Sequence, residues 1–174
     1  MSLRVELFDK SKHDRAAFDS GSEPLDRWFQ KSASQDSERN FARVHVAVDE
    51  QGVVGFYSLS TISIDLGDLP ETLRKRLPRY SEVPAILMGR LAVHRRVQRQ
   101  GIGTVLLGHA LGKAMASSQQ IAAYAVVVDA KSEAVALWYE SFGFQPLTAG
   151  RLFMPMVTAA TAALSASASE PRTD

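Results

Sequence analysis

The alternation of apolar and polar residues divides the chain into short strands and amphipathic helices. Residues 86–93, Ile-Leu-Met-Gly-Arg-Leu-Ala-Val, form a mostly apolar run of strand type, and residues 104–113 then repeat apolar positions at helical spacing. Residues 122–128 are rich in valine, which is typical of a buried strand in a parallel pair. Strand, helix and strand in this order predict a βαβ unit at the centre of the chain.

The flanking residues predict further strands and helices around this unit. We expect a helix over residues 22–38, in which Leu25, Trp28 and Phe29 form an apolar stripe, and a second helix that begins at Ser132 and ends near Gly143. Residues 158–174 are rich in Ala, Ser and Thr and contain few large apolar groups, so we expect a frayed tail after one domain over residues 1–157. The remaining predictions are strands over residues 5–8, 41–48, 53–60 and 151–157, and an exposed excursion over residues 63–83.

A turn with two glycines joins the strand over residues 86–93 to the helix that follows it. Gln98-Arg99-Gln100-Gly101-Ile102-Gly103 lets the backbone turn sharply and approach a ligand closely, because glycine has no Cβ. The helix begins at this turn, so its free N–H groups and the positive end of its dipole face the loop. We therefore expect a phosphate or pyrophosphate group here, although a plain turn with surface arginines gives the same six residues.

Two other phosphate-binding loops do not fit this turn. A dinucleotide-binding fingerprint needs a third glycine, where this chain has Leu106. A P-loop needs Gly-Lys followed by Ser or Thr, which does not occur in the sequence. The turn therefore belongs to neither class.

Composition fits one soluble globular domain and excludes several kinds of chemistry. The chain has no cysteine, which rules out disulfides, thiolate metal sites and a cysteine nucleophile. Its four histidines show no metal-ligand spacing, so we expect no metal. The N-terminus carries charges where a signal peptide needs an apolar core, and no apolar run is long enough to span a bilayer. We therefore expect a cytoplasmic protein that does not bind membranes.

Positive charge is concentrated beside the predicted loop. The formal net charge is only +1, but Glu82 is the single acid between Arg74 and Arg99, a segment with many arginines. This distribution indicates a polyanionic ligand, while a solvated basic surface without a specific role is the commoner explanation of such a run. The candidates for contact with a polyanion are Arg74, Lys75, Arg76, Arg79, Arg95 and Arg96, of which Arg95 and Arg96 are the stronger candidates because they adjoin the predicted loop.

The order of the strand, the glycine turn and a later tyrosine resembles the Gcn5-related N-acetyltransferase (GNAT) family. The three parts are Leu91–Val93, then Gln98–Gly103, then Tyr139 shortly before Phe142-Gly143-Phe144. The resemblance implies an α/β single-domain GNAT acyltransferase fold, which is a mixed twisted sheet with flanking helices and a splayed pair of parallel strands. It implies acetyl-CoA as the acetyl donor, with the residues Leu91, Ala92, Val93, Gln98, Arg99, Gln100, Gly101, Ile102, Gly103 and Thr104 as its binding site.

The same resemblance implies a catalytic role for Tyr139. Its phenol would protonate the departing thiolate of CoA, whereas packing in the core is the alternative role for an aromatic residue of a helix. A backbone N–H of residues 91–93 would stabilise the oxyanion. We assign the neighbouring Trp138, Phe142 and Phe144 to the core.

The N-terminal half is similar to the acetyltransferase toxins of bacterial toxin–antitoxin pairs. The similarity lies in Phe-Asp-Ser-Gly-Ser-Glu-Pro-Leu-Asp-Arg-Trp-Phe at residues 18–29, Arg39-Asn40 and Gly-Phe-Tyr-Ser-Leu-Ser-Thr at residues 55–61. It implies a toxin that acetylates the α-amino group of aminoacyl-tRNA and inhibits translation. It also implies a ribbon-helix-helix antitoxin encoded by the adjacent gene, and it leaves open both a homodimer and the identity of the amino acid.

Two other functions remain open from the sequence. The first is a general acetyltransferase that acts on a small amine or a protein N-terminus, and the second is a non-catalytic module that binds RNA or a repressor. The basic residues beyond the acetyl-CoA site favour an RNA-sized substrate over the first alternative. The presence of Tyr139 argues against the non-catalytic module. An adjacent gene for a ribbon-helix-helix protein would favour the toxin over the general acetyltransferase.

Overall fold

Residues 2–159, which the computed structural model describes, fold around one mixed sheet with helices on both faces. Met1 and residues 160–174 lie outside the described residues, so the predicted fraying stays a prediction from residue 160 onward; Thr158 and Ala159 are helical, and Ala159 is buried in the core. The strands are β1 (Arg4–Leu7), β2 (Arg43–Asp49), β3 (Gly52–Asp65), β4 (Glu82–Val93), β5 (Ala125–Asp129), β6 (Gln145–Pro146) and β7 (Arg151–Pro155). The helices are α1 (Glu23–Lys31), α2 (Ala33–Glu38), α3 (Glu71–Arg74), α4 (Ile102–Ser118) and α5 (Glu133–Glu140).

The strands lie in the order β1-β2-β3-β4-β5-β7-β6, and only the β4–β5 pair is parallel within this sheet. The parallel pairing runs from Ala85 opposite Ala125 to Met88 opposite Val128, where it stops. Strand β4 continues beside β3 as far as Val93. The two parallel strands therefore separate after Met88, and the predicted α/β sheet with a splayed parallel pair is confirmed.

Alternate side chains of the sheet pack against helices on opposite faces. Ile86 and Met88 of β4 belong to the cluster that α4 completes with its buried leucines. On the opposite face, Phe56 of β3 belongs to the cluster formed with α1, where the ring of Phe29 stacks on it at 4.3 Å. Burial of a phenyl side chain such as Phe29 contributes about 1.5–3 kcal/mol. Helices α1 and α4 thus cover opposite faces of the central strands.

Several of the predicted boundaries were wrong, including the start of β5, expected at residue 122, and the end of β7, expected at residue 157. The helix expected over residues 22–38 divides at Ser32, which is both the C-cap of α1 and the N-cap of α2. Strand β3 continues past the predicted end at residue 60 to Asp65, because β4 begins early and pairs with it as far as Glu82. The excursion is therefore shorter than expected and occupies residues 66–81, including α3.

Candidate active site

A cavity of about 600 Å³ lies where β4 and β5 separate. Opposite β3, Ser58 pairs with Arg90 and Leu59 pairs with Met88, so Gly89 forms a bulge in β4. A bulge turns the strand and interrupts the ladder at this point. The segment from Gly89 to Val93 therefore has β3 on one side and the cavity, instead of β5, on the other.

The loop after β4 is held in place by the segment that precedes α1. The side-chain amide of Gln98 donates to the carbonyl oxygens of Val93, at 2.9 Å, and of Ser20, at 2.7 Å. Arg95 donates through Nε to Asp19 Oδ1 at 2.9 Å, and its backbone N–H donates to Asp19 O at the same distance. Gln98 borders the cavity, but its observed contacts fix the loop.

The glycine turn ends in a helix N-terminus without a side-chain cap. Arg99 and Gly101 both have positive φ, 62° and 85°, which reverses the backbone just before α4 begins at Ile102. Gly101 occupies the N-cap position and has no side chain to accept from the first N–H groups of the helix. These donors and the positive end of the helix dipole therefore remain available to an anion.

Tyr139 borders the same cavity as this turn. Helix α5 begins at the predicted cap, where Ser132 Oγ accepts from the Val135 N–H at 3.2 Å. Its seventh residue is Tyr139, which is 3% exposed and borders the cavity. Burial, together with the negative charge of Asp129, raises the pKa of Tyr139 above its ordinary value. The phenol therefore stays protonated and can donate a hydrogen bond at physiological pH.

The aromatic residues around Tyr139 have different environments. Phe144 is 3% exposed and packs against Tyr139 with ring centroids 5.5 Å apart, and Phe142 is partly buried against the same core. Trp138, assigned to the core from the sequence, also borders the cavity. A Cβ at Gly103 would lie 3.6 Å from its ring. Trp138 therefore lies beside the glycine turn and forms part of the cavity wall there.

Most of the residues predicted to bind acetyl-CoA come together at this cavity. Those that border it are Leu91, Val93, Gln98, Arg99, Gly101, Ile102, Gly103 and Thr104. The side chain of Ala92 instead packs on the opposite face with Phe56, because alternate residues of a strand point to opposite faces. Gln100 is exposed and does not border the cavity.

The predicted polyanion contacts have two different environments. Arg95 is paired with Asp19, and Arg96 donates to both carboxylate oxygens of Asp49 at 2.9 and 2.8 Å. Both arginines thus connect distant parts of the chain. The other four candidates are exposed on the excursion and do not border the cavity; they are Arg74, Lys75, Arg76 and Arg79.

Several residues that border the cavity had no assigned role in the sequence analysis. Arg90 and Lys131 are cationic, and Asp129 carries a negative charge that is paired with Arg151 at 2.9 Å. Asp129 ends β5 and Lys131 follows it, so the rule that ligands bind beyond the carboxyl ends of parallel strands could have identified both. Arg90 has no comparable signal, because its position depends on the bulge at Gly89.

The described residues contain neither a candidate metal site nor a membrane-spanning helix. No group of three or more His, Asp or Glu side chains in residues 2–159 is arranged to hold a metal ion. No helix in that part of the chain is long and apolar enough to cross a membrane.

Comparison with protein families and known proteins gives consistent results. The family model described as "Acetyltransferase (GNAT) domain" matches residues 40–146. A "Probable toxin TacT" from Sinorhizobium fredii is 33% identical over 166 residues, which cover 88% of this chain and 91% of that protein. A "tRNA-acetylating toxin" from Mycobacterium tuberculosis is 33% identical over 132 residues, covering 76% of this chain and 78% of the relative.

Solved structures with similar folds include two of the protein AtaT. One shows AtaT complexed with acetyl-methionyl-tRNAfMet; it is 26% identical, has a TM-score of 0.84, and the match covers 92% of this chain and 98% of AtaT. The other is a crystal structure of AtaTR bound with AcCoA, also 26% identical, with a TM-score of 0.79 and coverage of 91% and 96%.

Proposed function

The chain belongs to the GNAT family of acetyl-CoA-dependent N-acetyltransferases, and we propose that it is a toxin whose acetyl acceptor is the α-amino group of an aminoacyl-tRNA. The observation that carries this proposal is the cavity between β4 and β5, which is bordered both by an uncapped helix N-terminus and by Tyr139. The toxin and tRNA-acetylating relatives, which align with most of the chain, support the choice of acceptor.

The donor acetyl-CoA binds with its pyrophosphate at the glycine turn. The backbone N–H groups of residues 99–104 supply donors without a competing side-chain cap, and Arg99 adds a positive charge. The pantetheine amides pair with the free edge of residues 91–93, as a peptide does when it extends a sheet. In this assignment Ala92 and Gln100 contribute to acetyl-CoA binding only through their backbones. Gln98 contributes by anchoring the loop.

The reaction needs no strong general base. An α-amino group has a pKa of about 7.7–8.0, against about 10.4 for lysine, so a useful fraction is neutral near pH 7. Its nitrogen attacks the thioester carbonyl carbon, and a backbone N–H of residues 91–93 stabilises the resulting oxyanion. The nitrogen of the tetrahedral intermediate loses its extra proton to water, the C–S bond breaks, Tyr139 delivers its proton to the departing sulfur, and the resulting phenolate regains a proton from water.

Exposed cations position the tRNA. Arg74, Lys75, Arg76 and Arg79 lie on the excursion, where contact with phosphates costs little desolvation. Arg95 keeps 63% of its side chain exposed while it is paired with Asp19, and Arg96 keeps 31% exposed beside Asp49. These two arginines therefore have less freedom to contact RNA than Arg74, Arg76 and Arg79; Lys75 is paired with Glu71 at 3.4 Å.

The toxin acts in the cytoplasm, where charged tRNA is found, and a ribbon-helix-helix antitoxin encoded by the adjacent gene silences it. A homodimer would supply a second basic surface for a substrate as large as tRNA. Size-exclusion chromatography with light scattering, with and without the product of the adjacent gene, measures both assemblies.

Incubation with labelled acetyl-CoA and total charged tRNA tests the proposed acceptor. Label should appear on the aminoacyl moiety, and hydrolysis of the ester should release N-acetyl amino acids that mass spectrometry identifies. Uncharged tRNA is the matched control and should remain unlabelled. Label found only on free amines or protein, with charged tRNA untouched, would show that the enzyme is a general N-acetyltransferase.

A further inference from the structure

Arg90 presents a fixed positive charge to the cavity. It extends from β4 toward α1, and its guanidinium lies over the ring of Trp28, 3.8 Å from the centroid. The Trp28 indole is itself held by a hydrogen bond from Nε1 to Asp36 Oδ2 at 2.9 Å. Stacking on a fixed aromatic ring limits the orientations of the guanidinium, so this cation is organised before a ligand arrives.

Lys131 places a second cation at the same cavity. It follows the end of β5 and borders the space into which Arg90 extends. Partial burial, and then the nearby charge of Arg90, lower the pKa of Lys131. An anion between the two side chains would relieve their repulsion.

The acids near these cations are already engaged by other groups. Neither Arg90 nor Lys131 has a carboxylate oxygen within 4.0 Å among residues 2–159. The pair therefore differs from Arg95 and Arg96, whose charges are compensated within the protein. The engaged acids are Asp129, paired with Arg151 at 2.9 Å, Asp26, which accepts from the Ser20 hydroxyl at 2.6 Å, and Asp36, which accepts from Trp28.

The two cations lie on the side of the split opposite the glycine turn. In β4 the side chains of Leu91 and Val93 point toward α4, whereas Arg90 points toward Trp28 of α1. Lys131 borders the same cavity as Ser22 and Leu25, which lie at the start of α1. The cavity thus has a helix N-terminus for one anion on the α4 side and a pair of side-chain cations on the α1 side.

We propose that Arg90 and Lys131 bind the phosphodiester group next to the aminoacyl end of the acceptor. This inference rests on the proposed function and adds a substrate subsite to it. It places the acceptor on the α1 side of the split and acetyl-CoA on the α4 side, so that the amine reaches the thioester between the strands. A phosphodiester supplies the anion that the two cations lack within the protein.

Two acceptors with the same amino acid test the subsite. One is an aminoacyl-adenosine without phosphate, and the other is the same aminoacyl group on a short single-stranded RNA. For Lys131→Ala, and for Arg90→Ala, we expect kcat/KM for the RNA acceptor to fall roughly 10- to 100-fold further than for aminoacyl-adenosine, because one charge-assisted hydrogen bond is lost. The KM for acetyl-CoA should stay within about twofold of the wild-type value, since a twofold change is less than one hydrogen bond contributes.

Salt dependence and a matched variant separate binding from a structural effect. Removal of each cation should lower the slope of log kcat/KM against log salt concentration by about 0.7 for the RNA acceptor. Lys113→Ala removes a charge from α4 that does not border this cavity. This variant should keep the wild-type ratio of kcat/KM for the RNA acceptor to kcat/KM for aminoacyl-adenosine. If Arg90→Ala does not fold, the exposed Lys131 supplies the same test.

Three outcomes have distinct meanings. Equal losses on both acceptors would overturn the subsite and leave the two cations with a structural role. A raised KM for acetyl-CoA would overturn it as well and assign the cations to the CoA phosphates. If the wild type acetylates neither acceptor, the proposed function itself fails.

Discussion

Gly103→Ala should make the protein more stable and weaken its binding of acetyl-CoA. Gly103 lies in the first turn of α4, and an added Cβ would meet Trp138 at 3.6 Å and Val93 at 3.8 Å, which are ordinary contact distances. The fold can therefore accept the methyl group. Alanine exceeds glycine in helix propensity by up to about 1 kcal/mol, so the free energy of unfolding should rise by roughly that amount.

The same methyl group would obstruct the proposed pyrophosphate site. Both of its neighbours, Trp138 and Val93, border the cavity, so the Cβ occupies space beside the free N–H groups of the turn. Loss of one charge-assisted hydrogen bond costs about 1.5–3 kcal/mol, which corresponds to a roughly 10- to 100-fold higher Kd for acetyl-CoA. Urea denaturation measures the first effect and isothermal titration calorimetry measures the second.

Two further glycines of the same region give matched controls. Gly112 lies in the interior of α4 with nothing within 4 Å of an added Cβ, so Gly112→Ala should raise stability by about 1 kcal/mol and leave acetyl-CoA affinity unchanged. Gly101 has a φ of 85°, so Gly101→Ala should lower stability by about 1–2 kcal/mol despite the open space around it. If Gly103→Ala binds acetyl-CoA as tightly as Gly112→Ala does, the pyrophosphate does not lie at this turn.

Two other changes test the catalytic and the buried polar groups. Tyr139→Phe should keep acetyl-CoA affinity and lower turnover roughly 100- to 10,000-fold in a steady-state assay, because it removes only the donated proton; wild-type turnover would remove Tyr139 from the mechanism. Burial, and then the charge of His109, lower the pKa of His45 to about 4, and its Nδ1 is buried without a hydrogen-bond partner in the described part of the chain. The unfolded state therefore binds the extra proton first, and stability falls as pH decreases from about 6.5 to 4. His45→Phe can keep the stacking on Tyr57 and should reduce this loss of unfolding free energy by about 1–2 kcal/mol, as measured by urea denaturation across the pH range. An unchanged pH dependence would show that His45 is not its cause.

The sequence predicted the parts of the site that lie close together along the chain. The strand, the glycine turn and the helix over residues 86–118 are continuous, and each has its own local signal in periodicity or glycine spacing. Ser132 likewise marked the start of α5, because an N-cap acts on residues only three positions away. Local hydrogen bonding and periodicity therefore sufficed for these elements.

Contacts between distant residues could not be predicted in the same way. Arg96 appeared to be a free surface cation, but it pairs with Asp49, which lies 47 positions earlier. The break at Ser32 and the early start of β4 at Glu82 also depend on tertiary packing or strand pairing. Arg90 reaches the cavity only because the bulge at Gly89 sets its direction. Such features depend on the assembled sheet and leave no short pattern in the sequence.

The attachment of the loop after β4 to residues 19 and 20 has a consequence for synthesis of the protein on the ribosome. The cavity depends on Asp19 and Ser20, which hold the loop after β4, and on Tyr139 of α5. It also depends on β5, which pairs on its outer side with β7, a strand that ends at Pro155. A nascent chain emerges from its N-terminus, so it lacks one wall of the cavity until the residues up to Pro155 have been translated. The proposed toxin thus completes the folded site only late in its own synthesis, and it cannot act on aminoacyl-tRNA before that point.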